Sequence, residues 1–399
     1  MKRQNGLLVA LVAAVTVAGV VLGGSIAAGQ VPSKSVADAV PLPVSTTPAP
    51  TPSKGTPTPK PLTATPSLRP STPPSSQAIV PIGVPALTGP TKITLAVSKL
   101  ASGRQPQIPY LTGRRVQGGA GGPVTIPGKD DVLEIARVNS SVLALTTNGN
   151  GSQVLRLEAN GVASVANVNH MEAKGDQSGA AYAAFGGDGP VEGGTIYADT
   201  GTSLTALKLT TRWNFKVLAY VDDKVYFESS DVLGSGATWS TYVWSPGESK
   251  PKLVKEVPSL TTMSSNGKTA ATTLLVNDNG SCSAVTAVET GQRAWKTCDY
   301  YLNDFSPSGA TVFGVPSGDK GYCSSAEAAL DAKTGQLLRE WKGCLQSIAT
   351  EDDEHLLMVA IASGGGGDNA KSAIIRCAVS TGACELATPV SSSQLVLSA

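Results

Sequence analysis

Residues 305–336 read FSPSGATVFGVPSGDKGYCSSAEAALDAKTGQ, and this stretch holds two turns separated by strand-forming sequence. A tight turn at Gly309 leads into the β-branched and aromatic run 311–315, which favours a strand. A polar loop over 316–322 follows, and a second turn is at Gly335. The stretch therefore predicts a module of strand, turn, buried strand, loop, strand, glycine turn and strand.

The same module recurs along the chain with a spacing of 40 to 47 residues between its glycine turns. Glycine supplies the positive φ that a tight hairpin needs, and repeats of this length are typical of propeller blades. A second series of turns, at 139, 179, 222, 266, 308 and 352, runs in step with the first. We predict an all-β, seven-bladed β-propeller of four-stranded blades, with six or eight blades as the alternatives. The glycine turns are at Gly161, Gly201, Gly247, Gly291, Gly335 and Gly382.

One module is split between the two ends of the repeat region. Its outer hairpin is predicted from 108–110 and 124–126, turning through the glycines at 118–122. Its inner strands are predicted from 93–97 and from the chain end, 394–397. Closing a blade with strands from both ends removes the exposed sheet edges.

The module resembles the loose WD40-like or YVTN-like propeller repeats of exported bacterial proteins. The resemblance is carried by Phe305–Gly309, followed by Thr311–Phe313, and by Leu330–Gln336, and it extends over roughly residues 90–399. The Gly-His and Trp-Asp signatures of strict WD40 repeats are absent from the sequence. The resemblance implies a rigid binding platform without an inherited set of functional residues.

The N-terminus predicts export. Lys2 and Arg3 precede an uncharged stretch from Gly6 to Gly29, which at 24 residues is long enough to span a bilayer. We predict that residues 1–30 form a signal-anchor or transmembrane helix, with Ala27–Gly29 leaving signal cleavage and secretion as the alternative. Basic residues stay inside, so the C-terminal domain is expected outside the cytoplasm in a single-pass protein of the cell membrane.

A proline-rich segment separates the apolar N-terminus from the repeats. Residues 31–80 contain 13 of the 27 prolines, many next to Ser or Thr. Such a segment cannot bury enough apolar surface to offset its ordering entropy. We therefore predict a disordered Pro/Ser/Thr-rich stalk over 31–80 and the propeller over 81–399.

The six cysteines lie in the last third of the chain and favour disulfides in an exported protein. They form pairs placed symmetrically about three of the glycine turns, so each pair falls on adjacent antiparallel strands, where a disulfide fits. A metal site would favour Cys-x-x-Cys spacing, which does not occur. The predicted disulfides are Cys282–Cys298, Cys323–Cys344 and Cys377–Cys384.

Charge and motifs argue against several functions. The formal net charge of +1 provides no basic surface for nucleic acid. Two histidines, His170 and His355, come without a nucleophile elbow, so we predict no catalytic residues, no metal and no cofactor. Asn277–Gly280 offers oxygen ligands for calcium, but the distal Glu of a calcium loop is missing, and an ordinary loop is favoured.

The loops that follow the second strand of each module are long and polar, and propeller topology places them on one face. This face is the predicted binding surface, for a protein or a cell-envelope glycan. The leading functional interpretation is a non-enzymatic binding or scaffold module, with membrane contact through the N-terminal helix. The alternative is a propeller enzyme, either a quinoprotein dehydrogenase or a glycan hydrolase or lyase. The candidate binding residues are Asp188, Glu192, Asp231, Trp239, Asp278, Asp319 and Tyr322.

Overall fold

The computed structural model confirms the all-β class over the residues it describes. The regular structure of this part of the chain consists of β-strands and one turn of 3-10 helix, Val97–Lys99. The described residues are 87–149, 151–158, 161–185, 193–234, 237–277, 280–319, 321–365 and 369–398.

The strands are short and follow one another closely along the chain. The first twelve are β1 (Lys92–Thr94), β2 (Tyr110–Thr112), β3 (Arg115–Gln117), β4 (Val124–Thr125), β5 (Asp131–Val138), β6 (Ser141–Asn148), β7 (Gly151–Glu158), β8 (Gly161–Ala166), β9 (Val168–Ala173), β10 (Ala180–Phe185), β11 (Gly194–Asp199) and β12 (Leu204–Leu209). The next eight are β13 (Trp213–Val221), β14 (Lys224–Ser230), β15 (Trp239–Trp244), β16 (Lys252–Leu253), β17 (Leu260–Met263), β18 (Thr269–Asn277), β19 (Gly280–Ala287) and β20 (Arg293–Thr297). The last eight are β21 (Tyr300–Phe305), β22 (Thr311–Pro316), β23 (Ser324–Asp331), β24 (Leu337–Thr350), β25 (His355–Ser363), β26 (Lys371–Ala378), β27 (Cys384–Leu386) and β28 (Leu395–Leu397).

Within the described residues these strands form antiparallel four-stranded sheets in chain order. Four such sheets are β5–β8, β9–β12, β13–β16 and β17–β20, and a fifth joins β28 to β2, β3 and β4. The remaining strands, β21 to β27, lie in one larger sheet that also includes β1. The long strand β24 connects its two parts, because it pairs with β23 through its first half and with β25 through its second.

The predicted turns are confirmed at the ends of these hairpins. The six glycines of the first turn series all have positive φ. At Gly335, where φ is +76°, an added Cβ would lie 2.8 Å from the Trp295 ring. Asp331 closes the same turn by accepting the Thr334 N–H at 2.7 Å. The module order predicted from 305–336 is therefore present, with the glycine turn required both by backbone conformation and by packing.

Apolar residues pack between neighbouring sheets. Ala271 and Val285 of one sheet pack with Val312 and Leu330 of the next, and Phe313 packs with Met358 across the two parts of the large sheet. The first strands of successive sheets touch, and β25 contacts β28, so the contacts return from the last sheet to the first. Successive four-stranded meanders packed face to face around their first strands have the architecture of a β-propeller.

The strands at the two ends of the domain pair with different sheets. β28 pairs with β2, which confirms the prediction that the chain end supplies a strand to the first sheet. The prediction for 93–97 is wrong, because β1 instead runs parallel to β24 at the edge of the large sheet. The predicted outer hairpin is also wrong in detail, since Gly113 makes an additional tight turn between β2 and β3. The first sheet is therefore closed by the C-terminal end of the chain alone.

All three predicted disulfides are present. Cys282–Cys298, Cys323–Cys344 and Cys377–Cys384 have Cα–Cα distances of 4.0, 5.2 and 4.1 Å. Cys377 and Cys384 face each other directly in the β26–β27 ladder. Each disulfide thus ties strands or loops close to a glycine turn, as the symmetric spacing predicted.

Among the described residues no helix is long and apolar enough to cross a membrane. The predicted anchor at 1–30 and the predicted stalk at 31–80 lie outside the described residues.

Candidate functional site

The loops between second and third strands, together with the links between sheets, emerge at one end of the sheets, which we call the loop face. Of the predicted binding residues, Asp188, Glu192 and Asp278 lie outside the described residues. The other four, Asp231, Trp239, Asp319 and Tyr322, are on this face, in or beside the loops 231–238 and 317–323.

The two described aspartates hold their own loops together. Asp231 accepts the Thr238 N–H at 2.8 Å, and this hydrogen bond lowers the pKa of Asp231. Asp319 accepts the Ser325 N–H at 2.6 Å and the Ser325 hydroxyl at 3.0 Å. Both carboxylates are therefore engaged in local turns.

Trp239 lies in the wall of a cavity of about 250 Å³, which we call the Trp239 pocket. The pocket lies between the end of the β13–β16 sheet and the link that leads to β17. Trp239 is 45% exposed, so its ring is accessible from solvent. The lining residues are Glu228, Trp239, Ser240, Thr241, Leu253, Val254, Lys255, Pro258 and Ser259.

Glu228 contributes the carboxylate of the pocket. It lies near the end of β14, opposite Lys216 on β13 and Thr241 on β15. Burial raises the pKa of Glu228, and the charge of Lys216 acts in the opposite direction. Within the described residues no hydrogen bond or ion pair reaches this carboxylate. It is therefore available to a hydrogen-bond donor or a cation that enters the pocket.

Ser259 has an unusual backbone conformation at the edge of the same pocket. Its φ of +54° is in the left-handed region, which is uncommon for a residue with a side chain. The Ser259 carbonyl accepts the Thr273 N–H at 2.9 Å, which fixes the link against β18. Glu228 and Ser259 were not predicted from the sequence, whereas Trp239 was.

A second polar cluster joins the first strands of two neighbouring sheets, β5 and β9. The two ring N–H groups of His170 donate to Glu134 and Glu172, each at 2.6 Å. Burial lowers the pKa of His170, but these two hydrogen bonds and the charges of Glu134 and Glu172 together outweigh burial and raise it to about 10. The imidazole is therefore a cation held between two carboxylates, which is a structural arrangement rather than that of a general base.

Two further carboxyl groups lie within the large sheet, Asp304 half-buried and Glu327 fully buried. Burial raises the pKa of Asp304 to about 7, and the nearby Glu172 acts in the same direction. Glu327 is fully buried, both its oxygens lack hydrogen-bond partners, and burial raises its pKa well above the usual range. Because Glu327 is inaccessible, these two groups do not face a common solvent-exposed pocket as a hydrolase pair would.

One group of described residues has the spacing of metal ligands, Glu351, Asp352 and His355. The Glu351 carboxylate is already paired with Arg376, whose Nη2 donates at 2.7 Å, and it also accepts the Gln107 N–H at 2.7 Å. His355 donates from Nδ1 to Asp352 at 2.9 Å. An arginine on the shared carboxylate competes with any cation, so this group fits a structural ion pair better than a metal site.

No protein-family model matches this chain, and no curated protein matches it. Among solved structures it is similar to TolB from Acinetobacter baumannii, at 15% identity over 59% of this chain and 66% of TolB, with a TM-score of 0.39. It is similar to an oligogalacturonate lyase in complex with manganese, at 10% identity over 65% of this chain and 86% of the lyase, with a TM-score of 0.43. It is also similar to an acylaminoacyl peptidase from Pyrococcus horikoshii, at 10% identity over 58% of this chain and 43% of the peptidase, with a TM-score of 0.41.

These scores and identities are too low to assign a function or a family to the chain. The WD40-like or YVTN-like label accordingly remains a resemblance of the repeats.

Proposed function

We propose that this chain is a non-enzymatic binding module that holds a protein or a cell-envelope glycan at the Trp239 pocket. The observation that carries the proposal is the combination, in one cavity, of an accessible indole and an unpaired carboxylate, Glu228. An aromatic face binds apolar or sugar surfaces, and the carboxylate fixes orientation by accepting hydrogen bonds.

We propose seven blades for the propeller. Five four-stranded sheets account for five of them, and the larger sheet supplies two if β24 is counted as the last strand of one blade and the first strand of the next. Support comes from the first strands, because β28, β5, β9, β13, β17, β21 and β24 contact one another in this order.

The cellular setting belongs to the same proposal. We place residues 1–30 in the cell membrane as a signal anchor, 31–80 as an extracytoplasmic stalk and 81–399 as the exposed propeller. The apolar N-terminus and the proline content of the stalk support this arrangement, and so do the disulfides, which favour an oxidising compartment. Secretion after signal cleavage is the alternative.

The proposal is tested by chemical crosslinking of intact cells that express the full-length chain. Three forms are compared: wild type, Trp239→Ala and the control Leu204→Ala, which alters an exposed apolar residue of β12 outside the pocket. We expect a recurrent protein or glycan to crosslink to wild type and to the control but not to Trp239→Ala. A partner recovered equally with all three forms contradicts the pocket as the binding site.

The alternative function is that of a propeller enzyme, and the observation that favours it is the raised pKa of Asp304, which suits a general acid near neutral pH. An activity screen with quinone acceptors and with glycan substrates tests this alternative on wild type and Asp304→Asn. Turnover that disappears in Asp304→Asn replaces the binding proposal.

A further inference from the structure

The loop face carries an exposed apolar surface next to the Trp239 pocket. Leu253 lies in the pocket wall and is half exposed, and Leu274, Leu275 and Val276 follow one another along β18 with large exposed fractions, Leu275 at 52%. The Thr273 N–H donates to the Ser259 carbonyl of the pocket at 2.9 Å, so this run starts at the pocket edge. Contiguous exposed apolar residues mark interaction sites more often than single ones do.

The β18–β19 hairpin extends beyond its neighbours at this point. The pairing of β17 with β18 starts at Leu260 and Thr272, and β20 pairs with β19 only up to Ser283. Past these residues, 274–277 and 280–282 pair only with each other among the described strands. We call this two-stranded extension the apolar ribbon. The Cys282–Cys298 disulfide anchors it to the domain.

The unpaired edge of the apolar ribbon limits which kind of molecule can bind to it. Its backbone N–H and C=O groups form a ladder only with another extended polypeptide, which a glycan cannot supply. The exposed leucines and valine of the ribbon favour an apolar segment of a protein.

The Trp239 pocket indicates that this partner carries a positively charged side chain. The Glu228 carboxylate is unpaired within the described residues, and Trp239 presents an accessible indole beside it. A lysine or arginine side chain satisfies both, because its aliphatic stem packs on the indole and its cation pairs with the carboxylate.

We infer that the loop face docks an extended segment of a partner protein, which adds as a strand to the apolar ribbon and places a basic side chain in the Trp239 pocket. This inference rests on the proposed function and narrows the partner to a polypeptide of stated chemistry.

The test uses a phage library of random nonapeptides selected on the immobilised full-length protein. We expect enrichment of peptides in which one Lys or Arg is flanked by apolar, β-forming residues. A synthetic peptide with the selected consensus should bind Glu228→Gln and Leu275→Asn about tenfold or more weakly than wild type. The matched controls are Glu248→Gln, at an exposed ion pair at the opposite end of the same sheet, and Leu204→Asn, and neither should change the affinity.

The same peptide with alternate amides N-methylated tests strand addition directly. We expect binding to be lost, because N-methylation removes the donors of the ladder. The inference is overturned if the library yields no consensus, if the consensus lacks a basic residue, or if N-methylation or Glu228→Gln leaves the affinity unchanged. A glycan that crosslinks in a Trp239-dependent manner together with a failed selection overturns this inference but leaves the proposed function standing.

Discussion

Replacing Asp304 by asparagine should make the protein more stable at alkaline pH. Asp304 lies in β21, where its carboxylate accepts the Phe305 N–H at 2.7 Å, a hydrogen bond that an asparagine carbonyl can also accept. Burial raises the pKa of Asp304 from 3.8 to about 7, against the opposing effect of the Phe305 N–H, and Glu172 raises it further. Ionising this group therefore costs free energy in the folded state and does not in the unfolded state.

The sign and size of the effect follow from linkage between protonation and folding. Between about pH 4 and pH 7 the folded protein holds more protons at Asp304 than the unfolded chain, so the free energy of unfolding falls as pH rises. At about 1.4 kcal/mol for each pH unit over this interval, the loss is about 4 kcal/mol. This value is an upper limit, because Asp304 is half-buried and solvent screens its charge. An asparagine side chain does not ionise, so the free energy of unfolding of the Asp304→Asn variant should not decrease with pH for this reason.

The assay is urea unfolding of the full-length protein under non-reducing conditions at pH 4.5, 6 and 8, followed by tryptophan fluorescence. We expect the free energies of unfolding of wild type and Asp304→Asn to be similar at pH 4.5 and to diverge as pH rises, with the variant the more stable. Glu289→Gln, at an exposed position of the β19–β20 turn, is the control and should follow wild type. If the free energy of unfolding changes with pH by the same amount in wild type and Asp304→Asn, the assignment of a raised pKa to this group is refuted.

Three further perturbations test the scaffold by the same unfolding assay or by limited proteolysis. Replacing Cys323 and Cys344 together by serine opens a loop with a sequence separation of 21 residues and should lower the free energy of unfolding by about 3 kcal/mol, whereas an unchanged midpoint would show that the strands alone hold these residues. Arg376→Met removes the buried cation beside Glu351, whose carboxylate keeps the half-exposed Arg104 and the Gln107 N–H as partners, and should cost up to about 3–5 kcal/mol; a neutral outcome would contradict the ion pair. Deleting the chain from Leu395 onward removes β28 and should make the first sheet sensitive to protease. A rate of proteolysis equal to that of wild type would contradict this prediction.

The hairpins and disulfides of this domain could be predicted from sequence because their causes are local. Gly291 and Gly335 have φ values of +68° and +76°, conformations that other residues rarely adopt, so glycine at a regular spacing marks the turn itself. Once the turn is fixed, the partner of each strand residue follows by counting outward. Cys377 and Cys384 were paired in this way, and they face each other in the ladder.

The strands at the N-terminal end of the domain could not be predicted in the same way. The run 93–97 has the composition of a strand, but nothing in it specifies which of the available sheet edges it joins. The edge it joins is that of β24, through parallel pairing of Lys92 with Glu340 and Thr94 with Lys342. Sheet membership between residues so far apart in the chain depends on packing of the whole domain, which no local pattern encodes.

Glu228, which sequence reasoning missed, carries a signal that is visible in retrospect. It follows Val225–Phe227, so it is a single carboxylate in a strand that the repeat predicts to be covered on both faces. A charge at such a position costs free energy unless it is paired, and the Glu228 carboxylate has no hydrogen-bond partner among the described residues. Loop composition led to Trp239 but not to the carboxylate beside it. In a repeat of this kind a charged residue within a buried strand is therefore an indicator of a candidate site that adds to the polar loop, because loops tolerate charge at little cost and strands between packed sheets do not.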